Sequence, residues 1–128
     1  MKLLLDACTL IWLASAPQLL SSTSARLLDS PENSLWISDC TVWEICLKWQ
    51  AAKLKLPSPP RHWIQQQQQQ WQLESLAIER SHLFRVSELP MHHRDPYDRL
   101  LVAQAIETGL TIVTPDTQIH KYPVPFVW

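Results

Sequence analysis

Asp95 and Asp98 stand at the mouth of an apolar helical run, in the stretch "HHRDPYDRLLVAQA" from His92 to Ala105. Two chemistries fit that placement. As a helix start, Asp95 is an N-cap and Pro96 suits the first helical position. Asp98 then falls where a carboxylate meets free backbone N–H groups and the positive end of the helix dipole. As an ion site, the same residues hold a cation if other acids converge on them. Three more acids are candidates: Asp6, directly after the apolar run "KLLL"; Asp116, three residues after "TIV"; and Glu44, about two turns into the helix that follows "LWIS".

Each has a plainer reading. Asp6 and Asp116 also fit as loop acids at strand ends, and Glu44 fits as the i,i+4 partner of Lys48, worth a few tenths of a kcal/mol. Convergence is favoured by topology, because parallel strands would bring Asp6 and Asp116 to the same edge, where open sheets build their sites. Asp98 shares a stripe with Leu101, Val102 and Ala105, and Glu44 sits between the apolar Trp43 and Ile45. A buried carboxylate without a partner is costly, and a shared cation removes that cost. An all-oxygen acidic site suits Mg²⁺ or Mn²⁺ rather than zinc or copper, and such ions promote phosphodiester hydrolysis by activating water. His92 and His93 are adjacent in a loop and are expected to be solvated or to contact RNA, since neighbouring residues rarely face one centre.

The elements that must position these groups follow from the pattern of apolar runs. "KLLLD", "NSLWIS", "LESLAI" and "LTIVT" read as strands, with "VPFVW" a possible fifth. Between them lie helical segments: "TLIWLAS", "SSTSARLLDS", a long amphipathic "DCTVWEICLKWQAAKLKL" stopping before Pro57, "RHWIQQQQQQWQ", "ERSHLFRVSEL" and Pro96 to about Thr108, closed by Gly109. The run Gln65 to Gln70 is expected to be an exposed helical face, Gln being a good helix former. Apolar strands alternating with helices imply a three-layer α/β/α sandwich on a mainly parallel sheet.

Bulk properties limit the function classes. A chain of 128 residues is the size of one domain, expected over 1–128. With 11 Lys+Arg against 12 Asp+Glu there is no global basic field, so any nucleic-acid contact must be local. Gly109 is the sole glycine, which excludes a glycine-rich phosphate loop or dinucleotide fingerprint. Cys8, Cys40 and Cys46 form no C-x-x-C pair and argue for a reducing, cytoplasmic setting. The N-terminus imitates a secretory signal, with "ASA" at Ala14 to Ala16, but Asp6 interrupts its apolar core. No apolar run approaches the roughly 20 residues that span a bilayer, so no membrane partner is expected.

The stretches "LLLDACTLIWL", "ISDCTVWEICLK", "LPMHHRDPYDRLLVAQA", "TIVTPD" and "YPVPFVW" together resemble the PIN-domain ribonucleases, specifically the VapC-type toxins of type II toxin–antitoxin systems. The third stretch is the most specific. The resemblance implies a Mg²⁺- or Mn²⁺-dependent endoribonuclease, a homodimer, an RNA substrate and a cognate antitoxin. It matches the family's acidic quartet to Asp6, Glu44, Asp98 and Asp116 as catalytic metal ligands, Asp6 and Asp98 being the principal pair. Thr114 matches a hydroxyl residue often found before the last acid, and Asp95 an acid with a capping role. Arg94, Arg99 and Lys48 are candidates for RNA phosphate contact, Lys48 and Arg99 equally for neutralising the acids. Where the family commonly has Thr after the first acid, this chain has Ala7, and it lacks a glycine in "KWQAAKLKL". The alternative is a catalytically silent module of the same fold that binds RNA or a partner protein. A DNA or flap nuclease would share the chemistry, but the chain lacks room for an added DNA-clamping domain.

Overall fold

Leu3, Leu4 and Leu5 are fully buried because β1 (Lys2–Leu5) runs through the middle of a sheet covered on both faces. The computed structural model describes residues 1–128. After β1 come α1 (Ala7–Ser15), α2 (Ser22–Asp29), β2 (Ser34–Ser38), α3 (Asp39–Gln50), α4 (Pro60–Trp71), β3 (Glu74–Leu76), α5 (Arg80–Glu88), α6 (Pro96–Thr108), β4 (Thr111–Val113) and β5 (Phe126–Val127). Single 3₁₀ turns occupy Pro17–Leu19 and Ile119–Lys121. The strands lie in the order β3-β2-β1-β4-β5 and every pairing is parallel, with Leu3 opposite Leu35 and Leu5 opposite Val113.

Alternation along the strands divides the core between the two faces. Leu3, Leu5, Leu35, Ile37 and Val113 pack under α1 to α4, against Leu10, Leu28, Ile45, Trp63 and Ile64. Leu4 and Ile112 face the other way, onto Leu101, Val102 and Ala105 of α6, with Val86 of α5 at the margin. The fold is therefore the expected α/β/α sandwich. The segment that imitates a secretory signal is β1 and α1 of this core, and no helix is long and apolar enough to cross a membrane.

Two expectations need correction. The long helix ends at Gln50 instead of continuing to Pro57. Ala52 takes a left-handed φ of 58°, Lys53 N–H donates to the Lys48 carbonyl at 2.9 Å, and the reversed chain packs Leu54 and Leu56 against the core. Burying those two leucines outweighs the continuation of a solvated helix end. The glutamine run is helical, as expected, but not uniformly exposed. Gln67 is buried and its Oε1 accepts the Trp71 indole N–H at 3.0 Å, while Gln68 Nε2 donates to Ser75 Oγ at 2.9 Å. An i,i+4 pair between an amide and an indole is what lets a polar residue face inward here.

Candidate metal centre

The strand order reverses direction between β1 and β4, and the crevice beyond their carboxyl ends is where sites form in open parallel sheets. Asp6 is the first residue past β1 and Asp116 is three past β4. Asp6 also starts α1: its Oδ1 accepts the Thr9 N–H at 2.8 Å. Asp116 is set by a turn of its own, its Oδ1 accepting Gln118 N–H at 2.8 Å and its N–H donating to Thr114 Oγ1 at 3.0 Å.

Glu44 and Asp98 come from helices clamped together at the same edge. The Ser38 hydroxyl donates to the Gln104 side chain, the Cys40 thiol donates to the Tyr97 carbonyl at 3.4 Å, and the Trp43 and Tyr97 rings meet edge to face at 5.1 Å. Asp95 Oδ1 accepts from Tyr97 N–H at 2.8 Å and Asp98 N–H at 3.2 Å, so Asp95 caps α6 as expected and fixes the turn that carries Asp98.

All four expected acids line one cavity of about 410 Å³, with Asp95, Lys48 and Lys53 among the other residues on its wall. Asp6 and Glu44 are 5% and 7% exposed. Within this group a tighter triplet stands out. His93 Nε2 lies 3.0 Å from Asp98 Oδ2 and 2.9 Å from Asp116 Oδ2, and the donor atoms of these three residues lie within 4.8 Å of one another. The expectation that both histidines stay outside the centre is thus corrected for His93. His92 is exposed and meets the Tyr122 ring edge to face, whereas His93 turns in toward the two acids.

The electrostatics are those of crowded carboxylates. Burial, reinforced by Asp95, Glu44, Asp6 and Asp116, pushes Asp98 up to about 8. Burial also raises Asp6, against the pull of the Thr114 hydroxyl and the Thr9 amide, and raises Glu44 despite Lys48. Burial acts on Asp116 in the same sense but is outweighed by His93 and the Gln118 amide, which hold it below its ordinary value. Cys8, on the cavity wall, is pushed to about 11 and Cys40 to about 12, by burial and then by the acids, so neither supplies a thiolate at neutral pH. Oxygen donors at a partly desolvated, mutually repelling site fit a hard divalent cation, whose charge would offset the burial and the repulsion that raise Asp98.

The basic candidates separate. Lys48 pairs with Glu44 at 2.5 Å while remaining partly exposed. Arg94 is exposed at the surface. Arg99 neither reaches the acids nor offers itself to RNA: it is 8% exposed and donates to the carbonyls of Pro90 and Val86 and to the Tyr122 hydroxyl. Its place on α6, one residue past Asp98, turns it to the buried side under α5. Thr114 is fully buried and bonded to the Asp116 amide, so it supports the acids from beneath. Sequence reasoning missed the inward turn of His93, for which the chain carries no local signal.

The PIN domain matches residues 3–125 of this chain. The chain belongs to the PIN-domain family. This PIN domain is similar to Ribonuclease VapC22 of Mycobacterium tuberculosis, 29% identical over 129 residues that cover 98% of this chain and 97% of that one. Among solved structures it resembles VapBC2 from Rickettsia felis bound to a DNA fragment from their promoter, with a TM-score of 0.72 and 18% identity over 100% of this chain and 99% of that chain. DNA-bound VapBC from Salmonella typhimurium aligns with a TM-score of 0.70 and 18% identity, covering 99% of this chain and 97% of that one. At such identities these structures speak to the PIN fold alone.

Proposed function

We propose that this PIN domain, a single domain over residues 1–128, is a metal-dependent endoribonuclease acting as the toxin of a toxin–antitoxin pair. Its substrate is RNA, its partners are an antitoxin protein and a second copy of itself, and its place is the cytoplasm. Family membership and the similarity to a protein named as a ribonuclease support the hydrolase class. The observation that carries the reading is the convergence of Asp6, Glu44, Asp98 and Asp116 on one cavity, with Asp98 raised to about 8 by its surroundings.

Asp6, Asp98 and Asp116 would hold Mg²⁺ or Mn²⁺, with Glu44 completing the set directly or through water. A cation held there supplies Lewis acidity, activating water and offsetting the charge that builds on the phosphate. The chain's own residues do the rest. The Thr9 and Gln118 amides fix the Asp6 and Asp116 carboxylates, and the Asp95 cap fixes the turn under Asp98. Lys48 and Lys53, on the cavity wall, attract the phosphate backbone locally, as a chain of net charge −1 requires. Ile11, Trp12 and Leu54 form an apolar wall that limits water and offers a face to a base.

RNA cleavage tests this directly. Wild type should cut RNA with Mg²⁺ or Mn²⁺, and Asp6→Asn and Asp98→Asn should lose at least about 100-fold, the scale of removing a group that stabilises the transition state. Cleavage that persists in both variants, or in excess chelator, overturns the proposal. A wild type that binds Mn²⁺ yet cuts no RNA would favour the silent module.

A further inference from the structure

His93 touches two of the carboxylates, and its other ring nitrogen defines what it can do there. Nδ1 accepts the Asp95 backbone N–H at 3.1 Å, so Nδ1 presents a lone pair and the ring proton of neutral His93 sits on Nε2. That Nε2–H donates to Asp116 Oδ2 at 2.9 Å, and Asp98 Oδ2 lies 3.0 Å from the same nitrogen. For Nε2 to ligate a cation, the proton would have to move to Nδ1, where it would face the Asp95 N–H, donor against donor.

The loop is anchored to keep the ring there. The Tyr122 hydroxyl oxygen accepts the backbone N–H of His93 at 2.9 Å and of His92 at 3.2 Å, and Arg99 Nη1 donates to the same oxygen at 3.1 Å. Arg99 also holds the Pro90 and Val86 carbonyls, each at 2.9 Å, which pins both ends of the approach to His93.

The geometry points to His93 as a positioning residue: a hydrogen-bond donor to Asp116, not a ligand, seated between that acid and Asp98, with its tautomer set by the main chain of the α6 cap. The inference rests on the reading of these carboxylates as a cation centre. An ionised carboxylate oxygen has lone pairs for both a cation and an N–H, and hydrogen bonds from such outer groups orient metal ligands. The sequence element "HRD" then does two jobs at one residue, capping by the Asp95 side chain and tautomer selection by its amide.

The test has two arms. In the first, long-range ¹H–¹⁵N NMR at pH 8 reads the His93 ring in metal-free protein and again with Mg²⁺. The proton should be on Nε2 in both states; a proton on Nδ1 without metal, or its transfer to Nδ1 on adding Mg²⁺, overturns the inference. In the second, calorimetric titration with Mn²⁺ compares wild type, His93→Gln and His93→Ala. His93→Ala should weaken binding about 10- to 100-fold, and His93→Gln, which can return an N–H to the place of Nε2, should recover much of that. Equal loss in both variants, with both folded by circular dichroism, also overturns it. A wild type that binds no cation would instead remove the metal-centre reading, while the metal-free NMR arm still decides which nitrogen of His93 carries the proton.

Discussion

Asp98→Asn should stabilise the cation-free protein at alkaline pH, although it removes a residue central to the proposed chemistry. Asp98 is pushed from 3.8 up to about 8, first by burial and then by Asp95, Glu44, Asp6 and Asp116. The folded chain therefore keeps this proton until about pH 8, whereas the unfolded chain releases it near pH 4. Between those limits the native state binds more protons than the unfolded state, so stability falls as pH rises. The slope for one full proton is about 1.4 kcal/mol per pH unit, or about 4 kcal/mol from pH 5 to 8. Water entry and side-chain relaxation leave about 2–3 kcal/mol of that as a working value. At roughly 4 °C per kcal/mol for a domain of this size, Asp98 accounts for a drop on the order of 10 °C in Tm. The asparagine side chain of the variant fills the same space and has no proton to lose. Thermal unfolding in excess chelator from pH 5 to 8 should show the two proteins alike at pH 5 and the variant ahead by about 10 °C at pH 8. Saturating Mn²⁺ at pH 8 should then raise wild type and leave the variant nearly unmoved. Parallel pH curves, or a variant less stable than wild type at pH 8, would refute the assignment of Asp98 to a desolvated acidic cluster.

Other substitutions separate scaffold from site. Ala52 holds φ 58° at the end of α3, so Ala52→Gly should relieve left-handed strain and raise stability by about 0.5–1 kcal/mol, seen as a higher urea midpoint at unchanged slope. Arg99→Ala removes the donor to the part-buried carbonyls of Pro90 and Val86 and to the buried Tyr122 hydroxyl, and should destabilise by about 2–4 kcal/mol in chemical denaturation; a variant as stable as wild type would contradict its structural placement. Asp95→Asn should retain the cap and change stability by under about 0.5 kcal/mol, whereas Asp95→Ala should lose about 1 kcal/mol, both measured by chemical denaturation.

What the sequence determined by itself is what short-range chemistry determines. "LLL" offers no polar side chain and reads as a strand buried on both faces, and "DPYD" carries the cap, the first-turn proline and the first-turn acid that start α6. Strands alternating with helices then imply the parallel sheet, and the sheet implies one edge for Asp6 and Asp116. The remainder depended on neighbours far apart in the chain. Arg99 reads as an RNA contact until α5 and the Tyr122 hydroxyl close over it, and α3 reads as longer until Leu54 and Leu56 find the core. His93 and His92 are identical in type and adjacent in sequence; only the Tyr122 and Arg99 anchors, 29 and 9 residues from the atoms they hold, decide which of the two faces the acids. Periodicity and capping act over one or two turns and can be read from a string of residues. The direction of a loop side chain is set by hydrogen bonds that exist only once the sheet has brought α5, α6 and the C-terminal segment together.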